Sequence, residues 1–320
     1  MNVLSLFDGI STGRYCLDRA GIQVDNYYSS EINLNAIKIS EKNYSDVIRL
    51  GDVTQVSAKK LPKIDLLIGG SPCQGFSRAG LCLNFDDPRS KLFFEYVRIL
   101  KEIREVNPDV KFLLENVEMK KEWTEVINNH LGVKGFSINS KLLSAHNRPR
   151  MYWTNIDFKK PIDDAGVKLL DILEDVDTTG FINHEDILFD PRIREDCRNL
   201  VSVVNGEVRI SQATKLGYIV AENGDGVNLD YPTSKHRRGR VIKEKAPCLT
   251  TSGEPLVFVN GAIRWLTITE KERLQTLPDG YTEGVSYTAR VEGLGNGWTA
   301  EVITHIFGGL MVDKSLEVAV

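Results

Sequence analysis

The sequence predicts an α/β protein, a doubly wound and mostly parallel sheet with a second, smaller and irregular domain. Apolar strand-like runs alternate with helical patterns through the first half of the 320 residues, as expected for a parallel sheet with helices on both faces. From residue 157 this pattern gives way to short acidic, turn-rich stretches, and regular helical patterns return near Trp265. We therefore expect residues 1–156 and 261–320 to build the sheet together and residues 157–260 to form the smaller domain.

The elements follow in order along the chain. Four strands are predicted at residues 3–7, 24–30, 64–68 and 111–114, each followed by a helix, at residues 12–20, 34–42, 91–105 and 121–131. Two further strands are predicted at residues 136–143 and 151–156. Thr267 and Glu270 have the spacing of a capping box, which predicts a helix to about residue 276, and residues 299–307 have the pattern of a last amphipathic helix.

The composition is that of an ordinary soluble globular protein, with 42% apolar and 26% charged residues. No apolar run approaches the length of a membrane span, and the amino terminus has the pattern of a strand rather than of a signal peptide. The five cysteines are an odd number without paired CxxC spacing, which argues against a disulfide framework and a structural zinc site. We expect a cytoplasmic location and no metal.

The charge is unevenly distributed. A net charge of −4 argues weakly against a nucleic-acid partner, because a field of that sign repels phosphates. Six basic residues nevertheless crowd into one short stretch, and these are Lys235, Arg237, Arg238, Arg240, Lys243 and Lys245. A solvated loop is the ordinary explanation of such a run. Beside the cysteine turn described next, phosphate binding becomes the better explanation.

One cysteine stands on a glycine-rich turn directly after an apolar strand, in the run Gly69-Gly70-Ser71-Pro72-Cys73-Gln74-Gly75-Phe76-Ser77. The carboxyl ends of strands in an open α/β sheet are where ligands bind, so the Cys73 thiol is expected in that crevice. Pro72 fixes the backbone before it, and the glycines permit close approach by another molecule. This is the setting of a nucleophile rather than of a structural cysteine.

The run resembles the Pro-Cys active-site motif of the C5-cytosine DNA methyltransferase family, and the resemblance continues through Arg78, Asp87, Arg89 and residues 92–95. It covers residues 1–156 and 240–310 densely. The pattern is of the bacterial and phage type, and residues 5–9 are also similar to the animal de novo DNA methyltransferases. The resemblance implies the fold of the S-adenosylmethionine-dependent methyltransferases, with residues 157–260 as the target-recognition domain.

The first turn and two acids at strand ends predict a cofactor site. Glu31 closes the strand at residues 24–30 and Asp52 follows the next short apolar stretch along the chain, so both lie on the ligand edge, where carboxylates suit a ribose and an exocyclic amine. The resemblance implies that this edge holds S-adenosylmethionine. The residues concerned are Phe7, Asp8, Gly9, Ser11, Thr12, Gly13, Glu31, Ile32, Asp52, Val53, Pro72, Asn296 and Trp298. Ser11 stands where many members of the family have glycine.

The end of the fourth strand and a later pair of arginines complete the predicted catalytic site. Glu115 is flanked by apolar residues, so desolvation should raise its pKa, as a proton donor near neutral pH requires. Arg148 and Arg150 occupy alternate positions before and within a strand, which puts both on one face. The resemblance implies that Arg148 reaches the target base and that Arg150 braces the site. It leaves open the role of His146, which replaces the usual glutamine.

Together the resemblance implies a DNA cytosine-5 methyltransferase in which Cys73 adds to C6 of an extruded cytosine. The implied catalytic residues are Cys73, Gln74, Glu115, Asn116, Arg148 and Arg150, and the implied DNA contacts are Arg237, Arg238, Arg240, Lys243 and Lys245. The partner would be double-stranded DNA, with a cognate restriction endonuclease as a further candidate and a bacterial or phage-infected cell as the setting. Methylation of cytosine in RNA and a non-catalytic DNA-binding relative are the alternatives.

Overall fold

The computed structural model describes residues 1–72, 88–160, 162–184, 186–251 and 254–311, with the backbone alone at residues 88–90. Its first sheet contains the strands β1 (Asn2–Leu6), β2 (Asn26–Ser30), β3 (Ile48–Arg49), β4 (Leu66–Gly70), β5 (Lys111–Val117), β6 (Phe136–Asn139) and β7 (Pro149–Thr154). The strand order is β3-β2-β1-β4-β5-β7-β6, and the neighbours from β3 to β5 run parallel whereas β7 is antiparallel to β5 and β6. This arrangement confirms the predicted fold class.

Helices cover both faces of this sheet. The helices of the described residues are α1 (Thr12–Arg19), α2 (Leu34–Asn43), α3 (Pro88–Val106), α4 (Lys121–Leu131), α5 (Glu195–Arg198), α6 (Ile268–Leu274), α7 (Tyr287–Asn296) and α8 (Ala300–Phe307). Short 3-10 turns lie at Val53–Gln55, Ala58–Lys60, Ser140–Leu142 and Leu169–Ile172. No described helix is long and apolar enough to cross a membrane.

Alternation along the strands divides the core into two layers. In β4 the side chain of Ile68 packs with α1, α2, α7 and α8, whereas its neighbour Leu67 packs with α3 and α4. This is the period-two pattern of a strand that is buried on both faces. The helices α7 and α8 thus join the layer begun by α1.

Two expectations about elements are wrong. The strand expected at residues 136–143 ends at Asn139, because the Asn139 side chain accepts a hydrogen bond from the Lys141 N–H and begins a 3-10 turn. The sequence also gave no sign of α7. That helix contains Gly293 and Gly295, and a Cβ at these positions would lie 2.9 Å from a side-chain carbon of Ile10 and 2.7 Å from the Thr250 backbone. The glycines serve close packing and hide the helical pattern.

The region expected to be irregular contains two small sheets. One is β10 (Val201–Val204), β11 (Glu207–Ser211) and β12 (Tyr218–Ala221). The other has the order β14-β13-β15-β16-β9-β8 and consists of β8 (Ile182–His184), β9 (Ile187–Phe189), β13 (Asp225–Asn228), β14 (Arg240–Ile242), β15 (Leu256–Val259) and β16 (Ala262–Trp265). Strands this short do not produce a readable alternation. The predicted boundary at residue 261 falls in the turn between β15 and β16, so this sheet extends to Trp265.

Candidate active site

A pocket of about 470 Å³ opens at the carboxyl ends of β1, β2, β4 and β5. The predicted cofactor residues that line it are Phe7, Asp8, Gly9, Thr12, Glu31, Ile32, Asp52, Val53, Pro72, Asn296 and Trp298. The predicted catalytic residues that line it are Glu115, Asn116, Arg148 and Arg150. Cys73 and Gln74 lie outside the described residues. The structure therefore gathers at one sheet edge residues that are almost 300 positions apart in the sequence.

The turn after β1 has an unusual backbone that explains Ser11. Phe7, Gly9 and Ser11 all have positive φ, at 57°, 58° and 58°. Glycine is the residue that adopts this conformation without strain, as expected where relatives have glycine at position 11. Here the Ser11 hydroxyl donates to the Asp8 carboxylate at 2.5 Å and also contacts the Ser40 hydroxyl. These buried polar contacts offset the strain of the left-handed backbone.

The Asp8 side chain does not face the pocket. Its carboxylate is 1% exposed and accepts hydrogen bonds from the hydroxyls of Ser5, Ser11, Tyr27 and Ser29 at 2.5–2.8 Å. A carboxylate held by four donors inside the protein fixes the turn rather than a ligand. The Asp8 side chain is therefore engaged within the protein, and only the remaining atoms of Asp8 can contribute to the pocket wall.

Glu31 and Asp52 are oriented by backbone N–H groups. The Glu31 carboxylate accepts from the N–H groups of Gly9, Ile32 and Asn33, each at 2.8 Å. Asp52 accepts at Oδ1 from the N–H and hydroxyl of Thr54, and its Oδ2 has no hydrogen-bond donor among the described residues. Both acids thus stand in fixed positions on the pocket wall, with acceptor capacity left for a ligand that carries hydroxyl or amino groups.

Glu115 lies near the end of β5, and 8% of the surface of the whole residue is exposed. Nε of Arg150 lies 3.2 Å from its Oε1, and the indole N–H of Trp298 donates to its Oε2 at 3.1 Å. Burial raises the pKa of this carboxyl, while Arg150, Arg148 and the Trp298 hydrogen bond act in the opposite direction. The raised pKa predicted from the sequence is confirmed in direction, and both oxygens are held by donors.

The contacts of the two arginines correct the roles that the resemblance implied. Arg148 is 3% exposed, and its guanidinium donates to the carbonyls of Leu249, Gly295 and Gly297 at 2.7, 2.8 and 2.9 Å. It is therefore the arginine that braces the site, because these bonds occupy both of its terminal nitrogens. Arg150 instead faces the Glu115 carboxylate. Alternate spacing correctly put both at the pocket, but it could not predict their acceptors.

His146 has a structural role that the sequence left open. Its ring is completely buried, and Nε2 accepts a hydrogen bond from the Leu249 N–H at 2.9 Å. Burial, Arg148 and Arg150 hold the pKa of His146 well below its ordinary value, so the ring stays neutral and can accept this bond. The segment that contains Leu249 is thereby fastened to the strand that carries the arginines.

Two residues that the sequence analysis missed contribute to the site. The buried Gln275 donates to the Leu294 carbonyl at 2.7 Å and accepts from the Thr299 hydroxyl at 2.7 Å. Glu292 on α7 lines the pocket and accepts a hydrogen bond from the Asn33 side chain at 3.3 Å. Glu292 could have been found only with α7 itself, whose glycines hide the helix.

The basic stretch divides into two parts. Lys235, Arg237 and Arg240 are exposed and Arg238 is partly buried. In contrast, the Lys243 ammonium pairs with Glu222 and Asp225, both at 2.9 Å. The Lys245 ammonium donates to the carbonyls of Lys141, Ser144 and Val167. The expected set of phosphate-binding residues is therefore reduced, because these two lysines are already bound within the protein.

No cluster of three or more potential metal-binding His, Cys, Asp or Glu side chains occurs in the described part of the chain. Arg240 lies on β14 and is exposed. Cys248 is partly buried, with its sulfur 3.7 Å from Nη1 of Arg148.

Comparisons with known proteins identify the family of this chain. The sequence profile described as C-5 cytosine-specific DNA methylase matches residues 1–311. The Type II methyltransferase M1.ScrFI of Lactococcus lactis subsp. cremoris is 30% identical over 99% of this chain and 78% of its own length. The orphan methyltransferase M.Rho11sI of Bacillus phage rho11s is 35% identical, over 48% of this chain and 32% of its own length.

A solved structure shows the same fold. The Dnmt2 methyltransferase of S. pombe superposes with a TM-score of 0.65 and 18% identity, over 98% of this chain and 99% of its own. At that identity the likeness concerns the fold, which is the sheet and helix arrangement described above.

Proposed function

Because the chain belongs to the C-5 cytosine-specific DNA methylase family and is a cytosine-5 DNA methyltransferase, we propose that it moves a methyl group from S-adenosylmethionine to C5 of an extruded cytosine. The observation that carries this proposal is the placement of Glu115 and Arg150 side by side in the lining of the pocket. Pro72 lines the same pocket, and Cys73 follows it in the sequence. A proton donor and a nucleophile would thus meet one base.

The pocket suits S-adenosylmethionine by its chemistry. Its acids at the ends of β2 and β3, Glu31 and Asp52, can accept from ribose hydroxyls and an adenine amine. The Ile32 side chain is 71% exposed at the pocket wall, so an apolar surface is offered to a flat ring. Among the described residues, this end of the pocket offers the carboxylates of Glu31 and Asp52 and no basic side chain, which suits a ligand that carries a positive sulfonium and no phosphate.

S-adenosylmethionine supplies, when bound, a methyl group made electrophilic by its sulfonium. Cytosine C5 is a weak nucleophile, so the Cys73 thiolate first forms a bond to C6 and places electron density on C5. C5 would then form a bond to the methyl carbon as the bond from that carbon to the sulfonium sulfur breaks. A base removes the C5 proton, the electron pair re-forms the C5–C6 double bond, the C6–sulfur bond breaks to release the Cys73 thiolate, and the proton gained by the ring nitrogen returns to its donor.

Glu115 and Arg150 act on the polar edge of the pyrimidine. Glu115 would carry a proton to the ring nitrogen while Cys73 adds to C6, which prevents negative charge from building on the ring. Its raised pKa keeps a protonated fraction available at higher pH than an exposed glutamate would. Arg150 lies beside Glu115 and is the guanidinium placed to share that edge. Asn116 donates to the Ser71 carbonyl at 3.1 Å and supports the segment before Cys73.

Residues 157–260 are proposed to select the DNA site. They contain the exposed basic residues Lys235, Arg237 and Arg240, which suit phosphate contacts. A cytosine stacked in a duplex cannot enter a pocket at the sheet edge, so the target base must leave the helix. The relatives named above are described as Type II or orphan methyltransferases of bacteria and phage, which favours DNA over RNA as the substrate.

Trapping with 5-fluorocytosine tests the covalent route. Fluorine at C5 cannot leave as a proton does, so a duplex pool with 5-fluorocytosine and randomised flanks should yield, with S-adenosylmethionine, a complex that survives denaturing electrophoresis. The Cys73→Ala variant should bind the pool without becoming attached. Trapping of fluorinated RNA in preference to DNA would contradict the substrate. Failure of the wild-type protein on the whole DNA pool, with cofactor binding intact, would overturn the proposed mechanism.

A further inference from the structure

The indole of Trp298 reaches from the turn before α8 to the carboxylate at the end of β5. Its N–H donates to Oε2 of Glu115 at 3.1 Å, while the other oxygen, Oε1, faces Nε of Arg150 at 3.2 Å. Trp298 also lines the pocket beside Asn296, where the cofactor is proposed to bind. One side chain therefore touches both the pocket wall and the proposed proton donor.

The structure makes room for this contact with glycines. A Cβ on Gly70 would lie 3.0 Å from Nε1 of Trp298 and 3.1 Å from Oε2 of Glu115. A Cβ on Gly13 would lie 3.4 Å from the far edge of the indole. Any side chain at position 70 would press on both partners of the hydrogen bond. The missing Cβ of Gly70, at the end of β4, thus leaves room for the hydrogen bond, whereas a Cβ on Gly13 in α1 would make only an ordinary van der Waals contact with the ring.

The backbone of the turn is fixed on its other side. Arg148 donates to the carbonyls of Gly295 and Gly297, and Gln275 donates to those of Leu294 and Gly297. Trp298 follows directly after these residues, so its Cα has little freedom. The indole N–H is consequently aimed at Glu115 by a preorganised backbone rather than by a flexible loop.

We propose that Trp298 is a positioning residue of the reaction, whose indole N–H holds the Glu115 carboxyl in place and favours its ionised form between turnovers. This inference rests on the proposed function only in assigning Glu115 as the proton donor. The hydrogen bond itself can be tested without activity. Since the same ring lines the cofactor pocket, the proposal connects that pocket with the group that protonates the base.

The sign of the expected effect follows from the groups around Glu115. Arg150 and Arg148 come from β7 and the residues before it, Tyr152 is the β7 residue paired with Glu115, and Trp298 comes from the turn before α8. A donor to a carboxylate stabilises the charged form and lowers its pKa, as the arginines also do. Removal of the indole N–H alone should therefore raise the pKa of Glu115 further.

A signal from the indole tests the contact directly. The chain has four tryptophans, so a ¹H–¹⁵N spectrum should contain four indole signals, and the one lost in Trp298→Phe belongs to Trp298. In the wild-type protein this signal should move with pH as Glu115 titrates. In Glu115→Gln the movement should disappear. The Trp153 indole provides the reference, because it donates to the uncharged Asn128 at 2.8 Å. A Trp298 signal that ignores pH, or that titrates equally in Glu115→Gln, would overturn the proposal.

The pH dependence of turnover gives the second readout. In Trp298→Phe the alkaline limb of kcat should move upward by on the order of one pH unit, a tenfold change in proton affinity. Trp153→Phe removes an indole hydrogen bond far from the pocket and should leave the limb where it is. Coincident limbs for wild type and Trp298→Phe would contradict the positioning role. If the wild-type protein is inactive, the proposed function fails while the indole titration still decides the hydrogen bond.

Discussion

Nε of Arg150 lies 3.2 Å from Oε1 of Glu115, and the two side chains are only 14% and 11% exposed. The guanidinium of Arg148, two positions earlier, instead donates hydrogen bonds to three backbone carbonyls. Two arginines that are two positions apart thus have different roles. One can act on a substrate, and the other holds the protein together around it.

Substitution of the two arginines should separate stability from activity. Arg148→Ala leaves buried carbonyls without their donor, which should lower the free energy of unfolding by about 3 kcal/mol. Arg150→Ala should reduce kcat roughly 10²–10³-fold with a smaller loss of stability. Urea unfolding and steady-state methylation measure the two effects. Equal unfolding midpoints for both variants would show that the bracing role is not confined to Arg148.

Glu115→Gln should slow methyl transfer by roughly 10²–10⁴-fold, because an amide cannot donate a proton as a carboxylic acid does. The pH dependence of the rate should also change in a defined direction. Burial raises the pKa of Glu115, so the protonated form persists to higher pH and activity should fall only as the pH rises through that raised value. The variant should lack this alkaline limb. A wild-type rate that increases steadily through the same range would contradict a role as acid.

At position 11 the glycine variant should be more stable than the alanine variant, which is the reverse of the usual order. Ser11→Ala loses the hydroxyl bond to Asp8 and keeps the strained backbone with φ of 58°. Ser11→Gly loses the same bond but releases strain of about 1–2 kcal/mol. Urea midpoints should therefore fall in the order wild type, Gly, Ala. An alanine variant more stable than the glycine variant would show that the left-handed backbone of this turn is not retained.

Glu31→Ala should weaken S-adenosylmethionine binding by about 1.5–3 kcal/mol, the value of a lost hydrogen bond to a charged group. Glu31→Gln is the matched control, because its amide oxygen can still accept from the N–H groups of Ile32 and Asn33, while the bond from the Gly9 N–H to the other oxygen is lost. Its affinity should lie between those of the wild type and Glu31→Ala. Isothermal titration measures all three. Unchanged affinity in Glu31→Ala would mean that the ribose is held elsewhere.

The salt dependence of DNA binding should distinguish free from internally paired cations. Reversal of Arg237 and Arg238 to glutamate should weaken binding to every sequence and reduce the slope of log affinity against log salt by about 0.9 for each lost phosphate contact. Lys243→Gln should leave the slope unchanged, because Glu222 and Asp225 already pair with that ammonium. A fall confined to one base position would make the arginines base readers instead.

Local patterns were sufficient for most elements of the large sheet. Helix α4 begins and ends where the sequence predicts, at Lys121 and Leu131, because its apolar face has a clear helical period. Helix α7 was not predicted, because close contacts with segments distant in the sequence require glycine at positions 293 and 295. The helical period predicts a face, whereas contacts between distant segments decide which small residues interrupt it.

The same distinction applies to the site. The sequence placed Glu115 and Glu31 at strand ends, and the strand order brings those ends to one edge of the sheet. The orientation of Asp8 could not be predicted, because the hydroxyls of Tyr27 and Ser29 reach it only once β1 and β2 pair in parallel. Acceptors for Arg148 come from Leu249 and Gly295, about 100 and 147 positions away. Long-range partners of this kind leave no local signal.

Helix α1 packs against α8, which is formed almost 300 residues later. The Cys16 thiol donates to the Ala300 carbonyl at 3.3 Å, and Arg19 pairs with Glu301. During synthesis the strands β1 to β5 therefore leave the ribosome long before the helix that covers one side of their layer. Most hydrogen bonds of the large sheet can therefore form while the face that α8 will cover is still exposed to solvent. The emergence of the segment that contains Asn296 and Trp298, rather than closure of the sheet, is then the event that completes the lining of the pocket.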